Sequence, residues 1–352
     1  MAGRMITTRR SLLAGGAALI AAPAWAATGP GDFDFLDGEW VTRNRKLAKR
    51  LAGSTEWVEF GGSLAQRRLM SGLANSADNL FDAPGAPYRG VSLRAYDAKA
   101  AVWRNWWVDA RDPLRPVGAG VVGRFKDGVG TFLSDDTLDG RPIKVRVLWT
   151  RPTPTTARWE QAFSADGGAT WEVNWTTDFA RPSSPLPRPA AASDPDGLGA
   201  FDLRAGAWDV RHRRLKDRLA GSTEWVEFGG SQTWWPALNG AGNVDTNRFD
   251  MPGGAYEGAT LRSYDPKTKV WAIWWLDGRS PGGPLDPALT GTFKDGVGTF
   301  LADETFRGKP IKVRFIWSEI TRDAARWEQA FSADGGATWE TNWITEFTRA
   351  RG

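Results

Sequence analysis

The chain has no cysteine and a single histidine, His212, among its 352 residues. The first absence excludes disulfides, thiolate metal sites and cysteine nucleophiles. The second excludes metal centres built from several imidazoles. No glycine-rich phosphate loop, zinc-ligand spacing or CxxCH haem-attachment motif is present. A haem role would have to rest on His212 alone, and the first half of the chain has no equivalent ligand. Charge of one sign is also lacking. The formal +4 includes Arg4, Arg9 and Arg10 of a segment read below as a removed leader, which leaves +1. That balance does not call for nucleic acid or an anionic membrane surface as partner. What the chain has in excess is tryptophan, 21 residues against 4 tyrosines, in an otherwise ordinary globular composition of 41% hydrophobic and 24% charged residues.

The first residues read as an address. In "MITTRRSLLAGGAALIAAPAWAATG", Arg9 and Arg10 precede the apolar run Leu12–Ala22, then Pro23 and the small-x-small "AWA". This is the pattern of a signal peptide over 1–27, cut near Ala26 or Ala27. The run is shorter than the roughly 20 residues that cross a bilayer. "TTRRSLL" resembles the twin-arginine export signal, with Leu-Leu where Phe-Leu is usual, and an ordinary Sec leader is the alternative. Either predicts a periplasmic or secreted protein with no stable membrane span in its mature form. Oligomeric state is not legible.

After the leader the chain states one module twice. "RLAGSTEWVEFGGS" begins at Arg50 and Arg218, "FKDGVGTFL" at Phe125 and Phe293, and "ARWEQAFSADGGATWE" at Ala157 and Ala325, each pair 168 residues apart. "RPSSPLPRPAAASDPDG" between the copies has the composition of an extended linker. The boundaries are 30–181 for the first repeat, 182–197 for the linker and 198–350 for the second repeat. Each copy holds a full set of strand and turn signals, which predicts separate folding.

"FSADGGATWE", at Phe163–Glu172 and Phe331–Glu340, matches the Ser-x-Asp-x-Gly-x-x-Trp Asp-box of sialidase propellers. Propeller blades recur every 40–50 residues, and one box per 168 residues argues against that fold. The motif reads instead as a hairpin turn: Asp166 bonds amides across the bend, Gly167 and Gly168 supply positive φ, and Trp171 packs over it. It receives no catalytic role.

Short β-rich runs punctuated by "DPKTK", "KDG", "RGKP" and "ADGG" give about ten strands per repeat and no amphipathic helix. The predicted fold is all-β: two tandem antiparallel meander β-barrels, with a β-sandwich as the alternative. "FDLRAGAWDV", "YDPKTKVW", "WWLDGR", "FKDGVGTF", "GKPIKVRFIWS" and "RWEQAFSADGGATWETNW" resemble an uncharacterised bacterial family with a calycin-like, or lipocalin-like, barrel. The resemblance covers nearly all of the second repeat and most of the first. It implies a barrel that holds a small, mostly apolar ligand.

Period-two alternation sorts the faces. Ile311, Val313, Phe315 and Trp317 share one face, as do Trp327, Gln329 and Phe331. Trp271, Ile273, Trp275 and Asp277 oppose Ala272, Trp274 and Leu276. Trp208, Val210, His212 and Arg214 form a fourth set. Apolar faces are expected inside, which leaves His212, Asp277, Gln329 and Thr341 as polar residues among inward tryptophans, each needing a partner. Asp277 sits two residues before Arg279 in "WWLDGR", at a barrel rim. The copies differ: His212 corresponds to Asn44, Trp234 and Trp235 to Gln66 and Arg67, and "GNVDTN" to "ANSADN".

The leading functional reading is a binding barrel for a small apolar or aromatic molecule, without cofactor or metal. Its site is placed chiefly in the second repeat, at His212, Trp235, Asn243, Asp245, Trp271, Trp275, Asp277, Arg279, Gln329 and Thr341. One alternative is a cofactor-free lyase, isomerase or hydrolase using His212 and Asp277 as acid and base. Another is a structural or surface-interaction module with filled barrels. Exposed tryptophans at Trp234 and Trp235 would suit carbohydrate.

Overall fold

The computed structural model describes residues 28–186, 197–201, 205–285 and 287–351. The leader and most of the linker lie outside the described residues. Two closed antiparallel barrels of ten strands each account for the chain. The first comprises β1 (Gly38–Leu47), β2 (Trp57–Leu69), β3 (Ala74–Phe81), β4 (Tyr88–Asp97), β5 (Val102–Asp109), β6 (Val121–Lys126), β7 (Val129–Leu138), β8 (Arg141–Thr153), β9 (Thr156–Ser164) and β10 (Glu172–Ala180). The second comprises β11 (Gly206–Leu215), β12 (Trp225–Ala237), β13 (Gly242–Phe249), β14 (Tyr256–Asp265), β15 (Val270–Asp277), β16 (Leu289–Lys294), β17 (Val297–Phe306), β18 (Lys309–Ser318), β19 (Ala324–Ser332) and β20 (Glu340–Arg349). Each strand pairs with its neighbours in sequence. Closure comes from β1 on β10 (Asn44 opposite Thr177) and β11 on β20 (His212 opposite Thr345). Closure leaves no free edge and removes the sandwich alternative.

The turns follow their sequence signals. In the Asp-box, Asp166 accepts from the Thr170 backbone N–H at 2.9 Å and from its hydroxyl at 2.6 Å, and Gly168 N–H donates to Ser164 Oγ at 2.8 Å. Gly167 and Gly168 take φ of 74° and 104°, values that favour glycine. The second copy repeats the bonds at Asp334, Thr338 and Ser332. Hydrogen bonds from Ser164 and Thr170 hold the exposed Asp166 carboxyl below its ordinary range. The motif is a turn, as its spacing implied.

One end of each barrel is filled by its own entering chain. Phe33, 1% exposed, meets Trp103 and Phe125 edge-on, each at 5.0 Å between centroids. Phe201 repeats this against Trp271 at 5.0 Å and Phe293 at 4.9 Å. T-shaped pairs of this kind add to the apolar burial that seals the end.

The barrels close separately but share a core. In β15, Trp271, Ile273 and Trp275 face the interior. Ala272, Trp274 and Leu276 point outward, yet all three are at most 1% exposed. They meet Val91, Leu93 and Ala95 of β4 and Trp106 and Val108 of β5, joined by Val244, Ala259 and Leu261. The outward face of these strands is apolar because the other barrel covers it. The contact is close to two-fold. Met70 N–H donates to Thr246 Oγ1 at 3.1 Å, and Leu238 N–H donates to Asp78 Oδ2 at 3.2 Å. Met70 and Leu238 occupy the same place in each repeat, and both sit at positive φ, 51° and 53°. That conformation is unfavourable for a large side chain, and here the partner barrel holds it. Burial pushes the Asp78 carboxyl up to about 6, against the opposing pull of Arg89.

If this shared core joins the barrels, severing the chain between Leu186 and Gly197 leaves two halves that co-elute in gel filtration. Leu261→Asp, which buries a charge in the interface, releases them. Separate elution of the unmutated halves would show that the interface is too weak to matter.

Candidate functional site

Beyond the aromatic plug, each barrel interior opens into a cavity. The first barrel's measures about 360 Å³ and the second's about 210 Å³. The larger therefore lies in the first repeat, whereas the sequence places the site chiefly in the second. The difference follows from the residues. Val147 stands where the second barrel has Phe315, and Asn105 where it has Ile273. At the far end from the plug, where β1, β3 and β5 finish, the first cavity is rimmed by Phe81, Tyr88, Trp107, Asp109 and Arg111. Trp107 lies flat against β4 because Gly90 has no Cβ; one built there would stand 2.0 Å from the indole.

A buried arginine lies against the plug and lines the cavity in both barrels. Arg94 and Arg262, each 3% exposed, point inward from β4 and β14. Arg262 lies 4.0 Å from the Trp234 ring centroid and 5.2 Å from that of Phe201. Its Nη1 donates to Asn243 Oδ1 at 3.0 Å and forms a short ion pair with Asp245, which is fully buried. Asn247 donates to Asp245, and Gln232 donates to Asn247 at 2.7 Å. The second barrel thus carries a connected, charge-balanced network. Arg94 lies 4.8 Å from Phe33 and 5.5 Å from Trp149. Its Nη1 donates to Gln66 Oε1 at 3.0 Å and Asn75 Oδ1 at 2.9 Å. Ala77 occupies the place of Asp245, so the carboxylate is gone. Burial pushes the Arg94 guanidinium down to about 9, still charged at neutral pH.

Four of the ten residues proposed from sequence line the second cavity: His212, Trp275, Arg279 and Gln329. Asn243 and Asp245 lie beneath it as partners of Arg262. Trp271 belongs to the plug, its Nε1 donating to Gly197 O at 3.2 Å. Trp235 packs between the barrels, under the Arg67 guanidinium at 5.8 Å. Trp234, expected to be exposed, is 2% exposed inside the barrel, which removes it as a surface platform for carbohydrate. Thr341 falls beside a register shift at Gln329/Ala330; the buried Asn342 meets Gln329 at 2.9 Å instead, and Thr345 takes the lining position. Arg94, Arg262 and the whole first cavity were missed. Alternation along "YRGVSLRAYD" and "YEGATLRSYD" places both arginines on the inward face and was the available signal.

The geometry does not assemble an acid–base pair from His212 and Asp277. His212 stacks on Phe228 at 4.7 Å. Its Nδ1 accepts from Trp343 Nε1–H at 3.2 Å and lies 3.0 Å from Thr345 Oγ1. An indole N–H only donates, so Nδ1 is unprotonated. Burial, helped by Arg214, pushes the imidazole down to about 3. In the first barrel Asn44 Oδ1 meets the equivalent pair, accepting from Trp175 at 3.1 Å and Thr177 at 2.8 Å. His212 and Asn44 are alternative acceptors for one Trp–Thr pair. Asp277 is held at the rim by Arg279, with Nε to Oδ1 at 2.9 Å and Nη2 to Oδ2 at 2.5 Å. Burial opposes its charge, but Arg279 keeps the carboxyl below its ordinary value. Among the described residues no group of three or more His, Cys, Asp or Glu side chains could hold a metal, and no helix is long and apolar enough to cross a membrane.

No family model matches the chain, and no curated protein matches it. Among solved structures it is similar to an S-type phycobiliprotein lyase from Guillardia theta, at 11% identity over 44% of this chain and 92% of that one, TM-score 0.31. It is also similar to a DUF3598-family protein of unknown function from Nostoc punctiforme, at 8% identity over 91% and 98%, TM-score 0.29. A transferrin-binding protein B mutant from Haemophilus parasuis matches at 6% identity over 88% and 75%, TM-score 0.19. Likenesses of this size carry no argument about function.

The His212 geometry makes a stability prediction. His212→Asn should shift the unfolding free energy at pH 7.5 by no more than about 1 kcal/mol, whereas His212→Ala should cost about 1–3 kcal/mol by stranding Trp343 and Thr345. The folded imidazole titrates far below its ordinary 6.5, so its stabilising contribution is complete above pH 6.5. It is lost as pH falls towards 3, because only the unfolded chain takes up the proton. The wild type should therefore lose stability relative to His212→Asn by up to about 1.4 kcal/mol per pH unit below 6.5. Urea titrations at pH 7.5, 6 and 5 measure this; parallel curves would mean that His212 is not buried neutral.

Proposed function

We propose that this protein is an exported binding protein for a small organic ligand and that the first barrel holds the principal site. The observation that carries the reading is the cavity of about 360 Å³, a size in the range of small-molecule sites, roughly 300–1,000 Å³. Its wall is the mixture such sites use. Trp149, Trp159, Trp175, Phe179 and Val147 supply apolar surface, and Ser92, Asn105, Gln161 and Thr177 supply a few convergent polar groups. The leader read at 1–27 would place the protein outside the cytoplasm. In the second barrel, Phe315 and Ile273 narrow the same space, and that barrel serves mainly to cover the outer face of the first.

N-phenyl-1-naphthylamine, a neutral fluorescent probe, tests the reading. Its emission should rise on mixing with the full mature protein. Val147→Phe combined with Asn105→Ile installs the second barrel's residues and should weaken binding at least tenfold, with little change in melting temperature. Unchanged binding in the folded double variant would place the probe outside the cavity and defeat the reading.

A further inference from the structure

We infer that the first barrel's ligand is an anion, whose carboxylate or comparable acidic group pairs with Arg94 at the cavity floor; this rests on the reading of that cavity as the binding site. The internal comparison supplies the argument. Arg94 and Arg262 occupy one position in the repeat, share two aromatic neighbours (Phe33 and Phe201, Trp149 and Trp317) and keep an equivalent asparagine, Asn75 and Asn243. They differ in the counter-charge. Arg262 has Asp245, while Arg94 forms no ion pair among the described residues. A buried charge without a partner is costly, and burial alone accounts for the weakened hold of Arg94 on its proton.

The cation is also within reach of a ligand. Arg94 lines the larger cavity together with Ser92 and Asn105. Among the described residues its hydrogen bonds use Nη1 only, so Nε and Nη2 remain to meet an acidic group side-on, the geometry in which a guanidinium binds a carboxylate through two hydrogen bonds. The cavity's own carboxylates do not serve it. Asp109 is engaged by Arg111 through Nε at 2.9 Å and Nη2 at 2.6 Å, and Asp136 Oδ1 accepts the Thr137 backbone N–H at 2.7 Å. The rim points the same way. Lys46 Nζ lies 4.2 Å from the Trp175 ring centroid; burial, with the positive charges of Arg50 and Arg111 and against the pull of Asp109, pushes it down to about 8. A cationic entrance favours the approach of an anion.

Two matched probe pairs test the inference on the full mature protein by calorimetry: 2-naphthylacetate with 2-naphthylacetamide, and octanoate with octanamide. Each carboxylate should bind at least tenfold more tightly than its amide. Ala77→Asp supplies the counter-ion that the second barrel has, and should abolish that preference while leaving amide affinity within about twofold. Arg94→Met should also abolish it, so that either variant, if folded, suffices. Amides binding as well as carboxylates, or a preference that survives both substitutions, would overturn the anion while leaving the cavity as a neutral-ligand site. Binding of N-phenyl-1-naphthylamine in the same cavity keeps these outcomes distinct. If that probe fails as well, the cavity reading falls and the inference with it.

Discussion

A guanidinium buried across the middle of each barrel organises everything on either side of it. Arg94 and Arg262 lie against the phenylalanine that plugs one end, and beyond them the interior is hollow. A charge so placed must be balanced locally, because a low-dielectric interior penalises an isolated ion heavily. The second barrel does this with Asp245 and a chain of amides. In the first, Ala77 withdraws the carboxylate, and Gln66 and Asn75 offer only dipoles. The same fold thus carries one saturated and one unsaturated version of a single polar centre, and the unsaturated one faces the larger cavity.

Duplication also explains the apolar outer face of β4 and β5. A lone barrel in water would expose the outer face of β3–β5, and its residues there would be polar. In this chain Val91, Leu93 and Trp106 meet Leu261, Trp274 and Leu276, so the outer face of β4 and β5 is apolar, while their inner face carries Ser92, Arg94 and Asn105. Reciprocal insertion of Met70 and Leu238, each bonded to a side chain of the other barrel, gives the contact a defined register that apolar burial alone would not supply.

The divergence of the repeats is selective. At the closing seam, His212 and Asn44 differ in chemistry but meet the same tryptophan–threonine pair, so that substitution preserves structure. At the cavity floor, Asp245 and Ala77 are not equivalent, since one balances a charge and the other does not. A difference between repeats bears on function only where the replacement cannot carry out the same physical task. Sequence alone could not separate these two cases, because an exchange along the chain does not record which partners each residue meets in the fold.

What the sequence determined by itself was local and periodic. The 168-residue repeat, the turn chemistry of Ser164–Trp171, the inward face of Ile311–Trp317 and the all-β barrel were legible, because a hydrogen-bonded turn and a two-residue alternation are written within a few residues of one another. The tertiary structure decided the rest. It placed Trp235 between barrels and Trp234 within one, took Thr341 out of the lining by a shift in register, and set His212 among partners that keep it neutral. Above all it showed that Arg94 has no carboxylate partner among the described residues. Whether a buried charge is paired depends on residues brought together by strand order and closure, and no spacing along the chain records that distance.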